Sequence, residues 1–440
     1  MRFASTRNPE STVGFAEALL KGLSPDGGLY VPHEWSRVEP ESFADDTELP
    51  AIANRLIAPF VAGDRLADSL PAITAEAFNF PVRLVPLGRE GRLSVLELFH
   101  GPTAAFKDFG ARFLAASMSR LRKPHDPPLT ILVATSGDTG GAVAAAFHGR
   151  PGIQVAVLFP QGLVSPTQER QLTCWGDNVR SFAVRGTFDD CQRMVKQAFL
   201  DPQLREQTQL SSANSINLGR LLPQAAYYAA SSLQIWRSTG QPASFVVPSG
   251  NLGNSVACLW AKAVGLPIDA VVLAHNTNRA VPDFVDSGHW RPRPSVATLA
   301  SAMDVGDPSN MERLRSLFPD LGDLRKAVTA YSVDDTAIRD SIRIGFDSFG
   351  QIWCPHTATA AEAFARLPPQ RQQAGRWVIV ATAHAAKFRE IVEPLIGREV
   401  PVPETLARLF ARPTQCEQIG ADLESLRAAL GRAAPGAGRA

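Results

Sequence analysis

Lys107 stands between Phe106 and Phe109 and precedes an Ala-rich helical stretch, Ala111 to Leu121. Partial desolvation among aromatics and the positive end of a helix both disfavour an ammonium. A neutral amine is what Schiff-base chemistry with a carbonyl requires. A lysine near a helix start is more often a plain solvated charge, so its neighbours must decide. The turn Thr135-Ser136-Gly137-Asp138-Thr139-Gly140 offers backbone N–H groups and the hydroxyls of Ser136 and Thr139 to an anion. Asp138 suits such a place only if it points away or is paired with a base. A second turn, Ser249-Gly250-Asn251-Leu252-Gly253-Asn254, has two glycines that permit close backbone approach to a phosphate. It lacks the Gly-Lys-Ser/Thr ending of a nucleotide P-loop and is not Gly-x-Gly-x-x-Gly. The stretch Asn214 to Arg220 groups amides, a hydroxyl and a guanidinium fork suited to phosphate, with Ser215, Asn217 and Arg220 as candidates. The residues fit equally well a polar helix N-terminus with Arg220 on the solvent side.

These turns share one grammar. Each follows a short apolar strand and precedes a helical stretch: Leu129 to Thr135, Phe245 to Pro248, and Trp377 to Ala381 before Thr382-Ala383-His384. Ile153 to Phe159 and Ala270 to Ala274 are further strand candidates. Such alternation predicts an α/β fold with largely parallel sheets, whose ligands bind off the carboxyl ends of the strands. The first 95 residues are richer in Pro, Asp and Glu and show helical patterns at Thr12 to Leu23 and Leu49 to Ala62. They are taken as a separate N-terminal unit on a body of residues 96–430 made of two α/β subdomains, the smaller near 125–200. Asp286 to Pro294 suggests a mobile loop, and residues 431–440 a tail without core-forming side chains.

Bulk properties remove several classes. Forty-three acids face 44 bases, and no basic block stands out, which argues against nucleic acid or a membrane surface as partner. No apolar run approaches the ~20 residues of a membrane span, and the N-terminus has no secretory pattern, so a cytoplasmic protein is expected. Five cysteines without Cys-x-x-Cys spacing read as buried small hydrophobes, not disulfides or zinc ligands. His100, His356 and His384 have no metal-ligand spacing and read as structural histidines, with no metal expected.

The stretch His100-Gly101-Pro102-Thr103-Ala104-Ala105-Phe106-Lys107-Asp108-Phe109-Gly110 resembles the cofactor-lysine motif of threonine synthases, with Ala104 where Leu is usual. Ser5-Thr6-Arg7 and Asp26-Gly27-Gly28-Leu29-Tyr30 resemble that family's N-terminal signature, and Asn8 replaces a Gly. Gly250-Asn251-Leu252-Gly253-Asn254 is similar to its Gly-Asn-Phe-Gly-Asn, and Thr382-Ala383-His384-Ala385-Ala386-Lys387-Phe388 to its Thr-Ala-His-Pro-Ala-Lys-Phe.

The resemblance implies fold type II and pyridoxal 5'-phosphate held through Lys107 beside Phe106. It implies a phosphate cradle from Ser249 to Asn254, and Thr382 on the pyridine nitrogen. It also implies substrate and ring contacts from Thr135, Ser136, Asp138 and Thr139, and a substrate-phosphate site at Ser215, Asn217 and Arg220. The implied reaction is O-phospho-L-homoserine and water to L-threonine and phosphate. A phospho-lyase releasing 2-oxobutyrate would share every cofactor residue. A silent regulatory protein is disfavoured by the intact Lys107. The oligomeric state stays open.

Overall fold

The strand-and-turn grammar resolves into two parallel sheets in the computed structural model, which describes residues 1–88, 91–123 and 125–432. The larger sheet has six strands in the order Val328–Ser332, Ile268–His275, Ala243–Pro248, Arg376–Ala381, Leu93–Glu97 and Arg83–Leu87. Only its last pair is antiparallel. The smaller sheet is parallel throughout, in the order Glu417–Ile419, Val179–Val184, Ile153–Pro160, Leu129–Ala134 and Gln209–Ser212.

The central strands are apolar along their length because both of their faces are covered. In Ala243–Pro248, Phe245 and Val247 enter one core cluster, and Val246 between them enters another. The period-2 direction of strand side chains thus feeds two cores from one strand.

Three features differ from the sequence reading. The boundary at residue 95 cuts a strand, since 83–97 form the edge of the larger sheet. The smaller unit runs past residue 200 to Ser212 and recruits Glu417–Ile419 and the helix Leu423–Gly431 from the far end of the chain. The N-terminal unit, with its antiparallel sheet of Thr12–Val13, Phe3–Ser5 and Tyr30–Pro32, has no core of its own. Phe3, Phe15, Phe60 and Phe78 share one buried cluster with Phe109, Phe113 and Tyr227 of the body.

Smaller differences have local causes. Thr12 to Leu23 is a two-residue strand and then the helix Phe15–Lys21. Beyond Ser287 the chain is irregular, and it is held where Asn278 exchanges hydrogen bonds with Val296. Of the tail, residues 433–440 lie outside the described residues. Four cysteines are buried as expected, but Cys416 is exposed. Among the described residues, no helix is long and apolar enough to cross a membrane.

Candidate active site

The carboxyl ends of both sheets open on one cleft of about 1440 Å³. Lys107 lies in its wall and itself opens the helix Lys107–Leu121, earlier than the Ala-rich pattern suggests. The preceding loop is stitched to the end of the strand Arg376–Ala381: Phe106 N donates to the Thr382 carbonyl at 2.8 Å, and His384 N to that of Ala104 at 3.0 Å. Ala104 takes a left-handed φ of 52° there, a strained setting that surrounding structure must enforce. The two flanking aromatics separate. The Phe106 ring centroid is 5.9 Å from Lys107 Nζ. Phe109 points into the core against Phe78, Phe80 and Tyr227. Burial pushes the Lys107 ammonium down to about 8; Asp138 opposes this, and the charges of Arg220 and Lys387 add to it.

The turn from Thr135 to Gly140 builds its own shape. Thr135 Oγ1 accepts from Gly137 N and Gly140 N at 3.0 and 2.9 Å and donates to the Gly137 carbonyl. Its hydroxyl is thereby committed to the turn, which leaves Ser136 and Thr139 as the half-buried hydroxyls at the cleft. Asp138 is paired with a base: its Oδ1 lies 2.7 Å from Lys387 Nζ and accepts from Gln168 Nε2 at 3.3 Å. Burial by itself would raise the Asp138 carboxyl; the charges of Lys387 and Lys107 outweigh it and hold the group well below the usual carboxylate range.

Gly250, Asn251, Leu252, Gly253 and Asn254 all line the cleft. A Cβ on Gly250 would lie 2.7 Å from Met303 Cα. Leu252 adopts φ 62° as the residue before the helix Gly253–Ala263, whose first N–H groups have no intrahelical acceptors. Asn254 Oδ1 accepts from Tyr227 and Tyr228 at 2.6 and 2.7 Å, while its buried Nδ2 has no partner. Ser249 stands behind the turn, bonded to the Val247 carbonyl and to Ser255 at 2.8 and 2.5 Å, and does not line the cleft.

The segment 214–220 divides in the same way. Asn217 is fully buried and spent on structure: it caps the helix Leu218–Leu221 through Gly219 N and donates to the carbonyls of Leu19 and Ser212. It is not among the residues that line the cleft. Arg220 is buried in the cleft wall, not solvent-facing. Its Nη1 donates to the Ala213 carbonyl and its Nε is unpaired. Ser215 lines the cleft and accepts from Asn251 Nδ2 at 2.6 Å. Thr382 lines it as well. His356, which lines the cleft, accepts from Ala302 N, His384 accepts from Ala386 N, and His100 pairs with Glu97.

Two residues escaped the sequence reading. Lys387 carried a signal, a second lysine inside a motif-rich stretch. Arg313 carried none. It is fully buried, and it donates to the Tyr30 carbonyl at 3.0 Å and the Ile216 carbonyl at 2.7 Å. It therefore clamps the N-terminal sheet to the loop that carries Ser215.

Family models match most of the chain: "Pyridoxal-phosphate dependent enzyme" over residues 82–383, "Threonine synthase N terminus" over 2–78 and "Threonine synthase, C-terminal" over 357–430. The chain is 39% identical to a threonine synthase of Haemophilus influenzae, across 98% of this chain and 99% of that one. It is 37% identical to that of Escherichia coli K12, across 97% and 98%. The Escherichia coli threonine synthase crystal structure superposes with a TM-score of 0.89 at 36% identity, covering 98% of this chain and 99% of that one. A pyridoxal-phosphate-bound threonine synthase from Brucella melitensis has a TM-score of 0.89 at 32% identity and covers 98% of each.

The residues present fit that cofactor. The unpartnered Nδ2 of Asn254 and the free N–H groups at the start of Gly253–Ala263 suit its phosphate. A Lys107 amine that loses its proton near pH 8 suits its aldehyde. From the motif-bearing turns to the full-length superposition, this chain belongs to the threonine synthase family of pyridoxal-phosphate-dependent lyases, of fold type II.

Proposed function

We propose that this enzyme converts O-phospho-L-homoserine and water to L-threonine and phosphate. The observation that carries the substrate assignment is Arg220, buried beside Lys107 with an unpaired Nε in the wall of the cleft that the 250–254 turn also lines. One anion site is accounted for by the cofactor, and the buried guanidinium of Arg220 calls for a second anion. Burying a charge without a counter-ion is costly, and a phosphate supplies that counter-ion.

Bound pyridoxal phosphate supplies the electron sink that makes the substrate Cα–H acidic. The chain's residues then divide the work. Ser136 and Thr139, with the N–H groups of their turn, orient the substrate carboxylate. Arg220 and Ser215 hold the phosphate that leaves Cγ. Lys107 Nζ takes the Cα proton and moves protons among Cα, Cβ and Cγ, and the hydroxyl of water adds at Cβ. Thr382 offers a neutral hydroxyl to the ring nitrogen, which moderates the electron sink relative to a carboxylate partner.

Product analysis tests this. The purified holoenzyme with O-phospho-L-homoserine should yield threonine and phosphate in equal amounts. 2-Oxobutyrate and ammonia as the main products would overturn the synthase assignment in favour of a phospho-lyase.

A further inference from the structure

Lys387 has no part in the proton and phosphate steps above, yet it is among the most deeply placed charges in the molecule. Its side chain is fully buried and that of Asp138 is 4% exposed. Among the described residues, no other ion pair has both partners under a tenth exposed. Lys387 Nζ also donates to the Thr103 carbonyl at 3.0 Å. Thr103 in turn binds Asp108, the neighbour of Lys107, through N–H and hydroxyl at 2.9 and 2.7 Å. The pair joins the two sheets. Asp138 opens the helix after Leu129–Ala134 of the smaller one, and Lys387 lies in the turn after Arg376–Ala381 of the larger.

A buried ion pair is seldom more stabilising than a well-packed apolar pair, so stability alone is a weak reason for this one. Its position offers a better reason. Without Lys387, Asp138 would put an uncompensated negative charge into a turn whose N–H groups and hydroxyls suit an anion. The same charge would also draw a proton to Lys107.

We propose that Lys387 is a positioning residue: paired with Asp138, it fixes the anion-binding turn against the larger sheet and balances the charge that Lys107 faces. This rests on Lys107 being the cofactor lysine. The other groups that face the pair and Lys107 are Arg220 on the helix Leu218–Leu221, His356 and Cys354 at the start of the helix Pro355–Ala365, His384 at the start of the turn that carries Lys387, and Asp108 on the helix of Lys107 itself. Burial holds His356 down at about 4, so it stays neutral over the range that matters.

The test reads the protonation of Lys107 directly. Full-length protein is mixed briefly with pyridoxal phosphate at a series of pH values and reduced with borohydride. The Lys107 adduct is then quantified by mass spectrometry. The wild-type midpoint should fall near 8. In Lys387→Met the unpaired Asp138 favours the ammonium, and the midpoint should rise by about one unit or more. In Asp138→Asn the unpaired Lys387 disfavours it, and the midpoint should fall. The double variant should return close to wild type. Single variants that leave the midpoint in place, or move it in the same direction, would overturn the proposal. Should Lys387→Met fail to fold, Asp138→Asn against the double variant still decides, because its midpoint must be the lower of the two. An adduct on another lysine would instead sink the cofactor assignment and this proposal with it.

Discussion

Arg220 shows how a single side chain can be held ready. Burial pushes its guanidinium down to about 10, and one nitrogen is anchored on the Ala213 carbonyl while Nε stays unpaired. A charge-assisted contact from such a fork contributes roughly 1.5–3 kcal/mol, so Arg220→Ala should lower kcat/KM for O-phospho-L-homoserine by about one to two decades. The visible cofactor spectrum should persist. Arg220→Lys keeps the charge without the fork and should fall between. Steady-state kinetics beside the spectrum check this; loss of cofactor in both variants would move Arg220 to the cofactor site. Thr382 works on a smaller scale. With the proposed contact to the ring nitrogen, Thr382→Val should lose one neutral hydrogen bond, about 1 kcal/mol of cofactor affinity, and retain most binding while turnover drops. Full activity in that variant, measured with cofactor occupancy by absorbance, would remove Thr382 from the ring nitrogen.

At the scale of elements, the strand-to-helix turns line the cleft, where the proposed site needs backbone close to a ligand. Gly250 marks the limit. A Cβ at that position would meet Met303 Cα at 2.7 Å and the Ala302 carbonyl at 3.3 Å, and no rotamer change relieves a clash with backbone. Overpacking of this kind costs about 1–3 kcal/mol. Gly250→Ala should therefore fold with a lower Tm and bind pyridoxal phosphate more weakly, as followed by thermal melts and absorbance titration. An unchanged dissociation constant would show that the turn does not need this closeness. The turns were legible in the sequence because Gly, Ser and Thr between an apolar strand and a helix report a local backbone requirement. The strands Arg83–Leu87, Leu93–Glu97 and Glu417–Ile419 were not. They are three to five residues long, and their place in a sheet depends on partners far away in the chain.

At the scale of the whole molecule, the N-terminal residues are tied to the body by hydrogen bonds and a shared core. Thr6 and Arg7 bond to Glu312, Arg313 donates to the Tyr30 carbonyl, and Ser5 binds Asp26. Together these explain why two separated N-terminal motifs belong to one structural unit. Phe78 stacks near Phe109 and Phe113, on the helix that Lys107 opens. A chain beginning at residue 79 would expose that face, and burying a Phe contributes about 1.5–3 kcal/mol. Such a truncated protein should be insoluble or melt without cooperativity. A soluble, cooperatively melting product in a thermal scan would show that the body has a sufficient core of its own. The amino-acid sequence by itself determined the α/β alternation and the family, and it marked the lysine and the glycine turns as candidates. Those are local patterns, where a few adjacent residues set what the backbone and one side chain can do. Only the tertiary structure decided that Asp138 is neutralised by Lys387, that Asn217 caps a helix while Arg220 faces the cleft, and that the N-terminal unit shares the central core. Each of these depends on which atoms meet after distant segments pack, and burial and pairing energies arise only at that meeting.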